Sequence, residues 1–149
     1  MVGILTDAGK TNAARIIVDP NTIDPSGQTA IDWFVPSPDG GKVAVSLSKN
    51  GSEDGSVHVF DTATGRELGD VVPRAQFPTG GGSLAWSADG TGFYVTRYPG
   101  TERPEAERHF FQQVYYHKLG TDPASDRYVL GRDFPRIAET VLDNRQNPD

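Results

Sequence analysis

Hydrophobic and polar positions alternate along this chain in short runs, and the runs come twice. An apolar, aromatic-bearing approach, Trp33-Phe34-Val35, leads into Ser37-Pro38-Asp39-Gly40. Fifty residues on, Leu84-Ala85-Trp86 leads into Ser87-Ala88-Asp89-Gly90. A segment rich in β-branched and aromatic residues leaves each turn, at 42–48 and at 92–98. In the first copy a third run follows at 56–61, where Val57 and Val59 flank His58. The turn Thr62-Ala63-Thr64-Gly65 and a fourth run at about 67–72 complete it. In the second copy the third run is Gln113-Val114-Tyr115-Tyr116-His117-Lys118. The turn Gly120-Thr121-Asp122-Pro123 and a run at 127–130 follow. A period of two predicts strands, and Asp-Gly supplies the positive φ of a tight hairpin, which makes Asp39, Gly40, Asp89 and Gly90 structural turn residues.

Four hairpin-linked strands in each repeat of about 50 residues describe a propeller blade. An eight-stranded sandwich would also turn every few residues, but it has no reason to repeat a sequence at a fixed offset. The expected fold is therefore all-β: a partial β-propeller of two four-stranded antiparallel blades plus the start of a third. The expected division is a lead-in segment and linker at 1–28, blade one at 29–78, blade two at 79–132 and a truncated third blade at 133–149, with 134–142 as its innermost strand. Trp33 and Trp86 are expected between the blades, where stacked sheets bury large apolar groups. Residues 99–111, charged and carrying Pro104, replace the shorter connection at 49–55 and read as a long exposed loop.

Charge narrows the partners. The net charge is −6, and no Lys/Arg run is long enough to follow a phosphate backbone, so nucleic acid is not expected. With no cysteine, disulfides, thiolate nucleophiles and Cys-based metal sites are excluded. No segment approaches 18 apolar residues and the N-terminus does not read as a signal peptide. No membrane association is expected, and a gene product starting at Met1 would be cytoplasmic, a periplasmic parent protein being the other reading that the chain allows.

Catalytic groups are sparse. No serine lies in G-x-S-x-G, and Ser83 after Gly80-Gly81-Gly82 leads into Leu84-Ala85-Trp86, which is a strand pattern. The three glycines lack the Lys-Ser/Thr of a phosphate loop. His58, His109 and His117 have no metal-ligand spacing and read as satisfied surface or strand histidines. The catalytic set and the metal set are therefore both empty, and no cofactor is expected.

Several motifs resemble the start of the gating propeller of the prolyl oligopeptidases. Asp19-Pro20-Asn21-Thr22 is similar to the segment that leads into their first blade, residues 35–65 to that blade, and residues 84–98 to their second. The run Tyr115-Tyr116-His117-Lys118-Leu119-Gly120-Thr121-Asp122, followed by Asp126, is the most specific match, and the resemblance covers about residues 16–142. The S-P-D-G hairpin also occurs in TolB-like propellers, so a non-catalytic binding module that self-associates is the alternative; the Tyr115-to-Asp122 run argues against it. The resemblance implies a serine peptidase whose seven-bladed propeller caps an α/β-hydrolase domain and admits only short peptides, cleaved after proline. It implies a fragment, inactive alone because the Ser/Asp/His triad is missing, whose partners are that hydrolase domain and short peptides. Phe134 in Asp133-Phe134-Pro135 matches an aromatic that lines the family's substrate cavity, blade core being the other reading. Two exposed blade faces would favour self-association.

Overall fold

A computed structural model describes residues 1–5 and 14–143. A hairpin of β1 (Val2–Leu5) and β2 (Ala14–Val18) precedes a single helical turn, α1 (Pro20–Ile23). Asp19 caps that turn, its carboxylate accepting the Asn21 N–H at 3.0 Å, while Pro20 needs no donor partner there. The first four-stranded sheet contains β3 (Thr29–Pro36), β4 (Lys42–Lys49), β5 (Gly55–Asp61) and β6 (Glu67–Gln76). The second contains β7 (Leu84–Trp86), β8 (Gly92–Arg97), β9 (Gln113–Lys118) and β10 (Arg127–Leu130). Both sheets are antiparallel and keep chain order from strand to strand. They are two blades of a partial β-propeller.

Residues paired across an antiparallel ladder share a face, so register shows what each blade buries. Ala44, Val57, Val59 and Val72 of the first blade meet Leu84, Trp86, Phe93 and Val95 of the second in one buried cluster. Trp33 packs against its margin, and both indoles keep their N–H satisfied: Trp33 Nε1 donates to Gln76 Oε1 at 3.1 Å and Trp86 Nε1 to the Val35 carbonyl at 2.9 Å. The opposite face of blade one presents Val43, Val45, Leu47 and Phe60, covered by Val2, Ile17 and Val18 of the β1–β2 hairpin. The opposite face of blade two carries Tyr94, Tyr116 and Leu130, all partly or largely exposed.

One expectation changes. Residues 134–142 form no strand among the described residues. They run instead as bends and irregular backbone, held by Thr140 N–H to Gln112 Oε1 at 3.2 Å and Leu142 N–H to Ser83 Oγ at 2.8 Å. An inner strand takes its ladder from the second strand of its own blade, and residues 144–149 lie outside the described residues. The loop at 99–111 reaches solvent as expected, none of its residues being buried, but it is not featureless. His109 stacks on Phe77 at 4.3 Å, the Arg103 guanidinium lies 3.8 Å from the Phe111 ring centre, and residues 105–107 wind into one 3₁₀ turn.

Candidate functional site

Each blade has two ends. One end carries the tight hairpins after β3, β5 and β7 and the longer connection after β9, which holds a 3₁₀ turn at Pro123–Ser125. The other carries the β4–β5 and β8–β9 connections and the chain segments that leave β6 and β10. The four predicted turn residues lie at the hairpin end. Gly40 and Gly90 have φ of 70° and 67°, and Asp39 and Asp89 each accept a serine hydroxyl at 2.7 Å. These bonds hold both carboxylates below the usual range, led by Ser37 for Asp39 and by Ser87 for Asp89, which falls to about 2.

Between the blades lies a cluster of charged side chains. His117 of β9 is fully buried, with Nδ1 2.7 Å from Asp126 Oδ1 and Nε2 3.0 Å from Asp70 Oδ1. Asp126 also accepts Arg97 Nη1 at 2.9 Å, and Asp70 accepts the Gly120 N–H at 2.7 Å. Burial is the largest single influence on His117 and opposes its charge, but hydrogen bonds and charge from Asp126 and Asp70 together prevail and raise its pKa. Burial lowers the Arg97 pKa, partly offset by Asp126. Arg97 Nη1 also donates to the Pro123 carbonyl at 3.0 Å, while its buried Nε has no partner among the described residues.

Asp70 reaches blade two because β6 is irregular. Its register against β5 shifts twice, between His58 and Phe60 and between Gly55 and Val57. Gly69 takes φ 86° at the first shift and Arg74 φ 58° at the second. Such bulges turn a side chain away from its own ladder. The first delivers Asp70 to His117; the second lets Arg74 Nε donate to the Tyr98 carbonyl at 3.0 Å and Tyr98 N–H return to Arg74 O at 2.9 Å.

The loop end holds a cavity of about 540 Å³, lined by Arg97, Tyr98, Glu102, Arg103, Phe111, Tyr115 and Arg132 among others. Arg103 is paired with Glu107 at 3.1 Å, and Arg132 sits over the Tyr128 ring at 4.2 Å. Phe134 lies in the connection that leaves β10, half-buried, its N–H donating to the Gly131 carbonyl at 3.1 Å. The structure therefore brings Phe134 to the same end as this cavity and leaves Asp39, Gly40, Asp89 and Gly90 at the other.

The histidines separate. His58 is a half-buried strand residue bonded to Glu67 at 2.6 Å, and His109 is exposed in the loop. His117 is satisfied but not a surface residue, because the sheet pairing points it at blade one. Both its ring nitrogens are taken by carboxylates, so neither is free to activate a hydroxyl. Asp70 was not legible as a partner: in sequence it is one acidic residue in a short apolar run. The only hint is the adjacent Gly69, the sort of residue that marks a bulge.

The model of the family described as "Prolyl oligopeptidase, N-terminal beta-propeller domain" matches residues 4–143. The prolyl endopeptidase of Elizabethkingia meningoseptica is 29% identical over 150 residues, covering 93% of this chain and 19% of its own length. Prolyl oligopeptidase ophP of Omphalotus olearius is 29% identical over 140 residues, covering 85% and 18%. Among solved structures, one from work on two prolyl endopeptidases and the role of inter-domain dynamics in catalysis and specificity superposes with a TM-score of 0.69 at 28% identity, over 80% of this chain and 17% of that one. Prolyl oligopeptidase B from Galerina marginata, bound to a 25mer macrocyclization substrate, gives 0.68 at 28% identity, over 82% and 18%. The chain thus spans about a fifth of the curated relatives it matches. By fold, motif and match alike, it belongs to the prolyl oligopeptidase N-terminal β-propeller domain family.

Proposed function

We propose that this chain supplies two blades of the propeller that covers the active site of a prolyl oligopeptidase-type serine peptidase, where it gates entry and filters proline-containing peptides by size. The observation that carries this reading is the family match over residues 4–143 on a two-blade scaffold. The loop end is the end proposed to face an α/β-hydrolase domain and its peptides. It carries Phe134, the cavity of about 540 Å³ and a mix of guanidinium and aromatic groups. The chain is inactive by itself on this reading: His117 is locked between carboxylates, and the sequence has no nucleophile elbow. The purified chain should give no cleavage of a Gly-Pro chromogenic substrate; turnover that copurifies with the 149 residues overturns the proposal.

One observation favours a second reading, a self-associating module. The β1–β2 hairpin covers the outer face of blade one, whereas Tyr94, Tyr116 and Leu130 on the outer face of blade two remain partly or largely exposed, Leu130 at 43%. Light scattering on the dilute chain distinguishes the two: concentration-dependent dimers support association, and a stable monomer counts against it.

A further inference from the structure

The geometry points to a pH-sensitive pin between the two blades: His117 held as an imidazolium by Asp70 from blade one and Asp126 from blade two, so that deprotonation loosens the seam. A neutral imidazole has one N–H. Here both ring nitrogens face carboxylate oxygens, at 2.7 and 3.0 Å. Only the imidazolium donates to both; a neutral ring would turn a nitrogen lone pair on one buried carboxylate. The cluster is neutral when His117 is charged, two cations (His117, Arg97) against two anions (Asp70, Asp126). Loss of the proton leaves a net buried negative charge, which is costly in a low-dielectric seam.

Every element packed on the ring contributes to this balance. From β6 comes Asp70, and from the turn before β10 comes Asp126. From β8 come the Arg97 guanidinium, behind Asp126, and the Phe93 ring, 5.2 Å from the imidazole. Arg97 in turn lies 4.9 Å from the Tyr115 ring on β9 and feels the charge of Arg74 on β6. The Gly120 N–H shares Asp70. Because the pin joins an outer-strand bulge of one blade to the last hairpin of the next, its state governs how firmly the outer edges of the blades close, while the Trp86 cluster nearby stays apolar and insensitive to pH.

The folded pKa is raised, so the contribution is fully present below the unfolded histidine value, about 6.5, and is lost as pH rises through the folded value. The full chain is to be unfolded in urea at several pH values from about 6 to 9, beside His117→Gln and, as a control for the partly exposed His58–Glu67 pair, His58→Gln. The wild type and His58→Gln should lose stability with rising pH through a single-proton step, and His117→Gln should show no such step. An identical slope in His117→Gln overturns the pin. If His117→Gln does not fold, Asp70→Asn serves: nuclear magnetic resonance of the His117 ring should show both nitrogens protonated in the wild type at neutral pH and a lowered titration midpoint in Asp70→Asn. A neutral ring in the wild type, or an unchanged midpoint, overturns the proposal equally.

Discussion

The hairpin end and the loop end of these blades are built from the same strands but solve their turns differently. At the hairpin end, the left-handed positions Gly40, Gly65, Gly90 and Gly120 are all glycine. Asp39, Thr64, Asp89 and Asp122 add local side-chain bonds to the backbone. At the loop end, Gly51, Gly81 and Gly131 are joined by Asn50, Glu53, Arg74 and Phe111, which hold positive φ without being glycine. For a side-chain-bearing residue that conformation costs about 1–2 kcal/mol, so the surroundings must hold it. Arg74 is held by the Tyr98 backbone and Phe111 by Arg103 and by its N–H to the Arg136 carbonyl. Local chemistry dictates one end, whereas contacts between distant segments dictate the other. The strained end is also the one with the cavity and Phe134.

The Gly80-Gly81-Gly82 run gives the largest test of this contrast. A Cβ on Gly82 would lie 2.3 Å from the Ala75 carbonyl oxygen, whereas one on Gly40 would meet nothing within 4 Å. Gly82→Ala is expected to destabilise by about 3 kcal/mol through overpacking against backbone. Gly40→Ala should cost only about 1 kcal/mol, for its left-handed φ. Urea midpoints of the two variants decide it, and equal losses would erase the difference between the ends. In the opposite direction, Glu53→Gly should relieve strain and raise stability by about 0.5 kcal/mol, net of the freedom glycine adds to the unfolded chain. A loss of stability there would mean that Glu53 makes compensating contacts.

The smallest effect belongs to the hairpin carboxylates. With the Asp89 pKa lowered to about 2, its turn contributes stability above the unfolded aspartate value, lost as pH falls from there towards 2. Asp89→Asn should flatten that acid limb slightly in a thermal-melt series, and an unchanged limb would show that the Ser87–Asp89 bond does not persist in solution.

Strand identity was legible because each strand's alternation and each turn's Asp-Gly are local properties; 113–118 and 127–130 fall where the pattern puts them. The family was legible for a similar reason, through the run from Tyr115 to Asp122. Residues 134–142 misled because they stand where a third blade would begin, and place in a repeat does not supply the partner that completes a strand's ladder. The role of His117 was half-legible: the sequence shows a histidine followed nine residues later by Asp126, but nothing that calls in Asp70 from 47 residues away.

By itself, then, the sequence determined the elements of this protein, their pairing into two repeats and their hairpin turns, all of which depend on neighbours in the chain. Tertiary structure decided the rest: two bulges in β6, the burial of His117 between carboxylates, the close backbone approaches at Gly80 and Gly82, and the gathering of Phe134, Arg97 and Arg132 at one end. Those features come from segments far apart in sequence sharing one low-dielectric seam, where geometry and charge balance count for more than local preference.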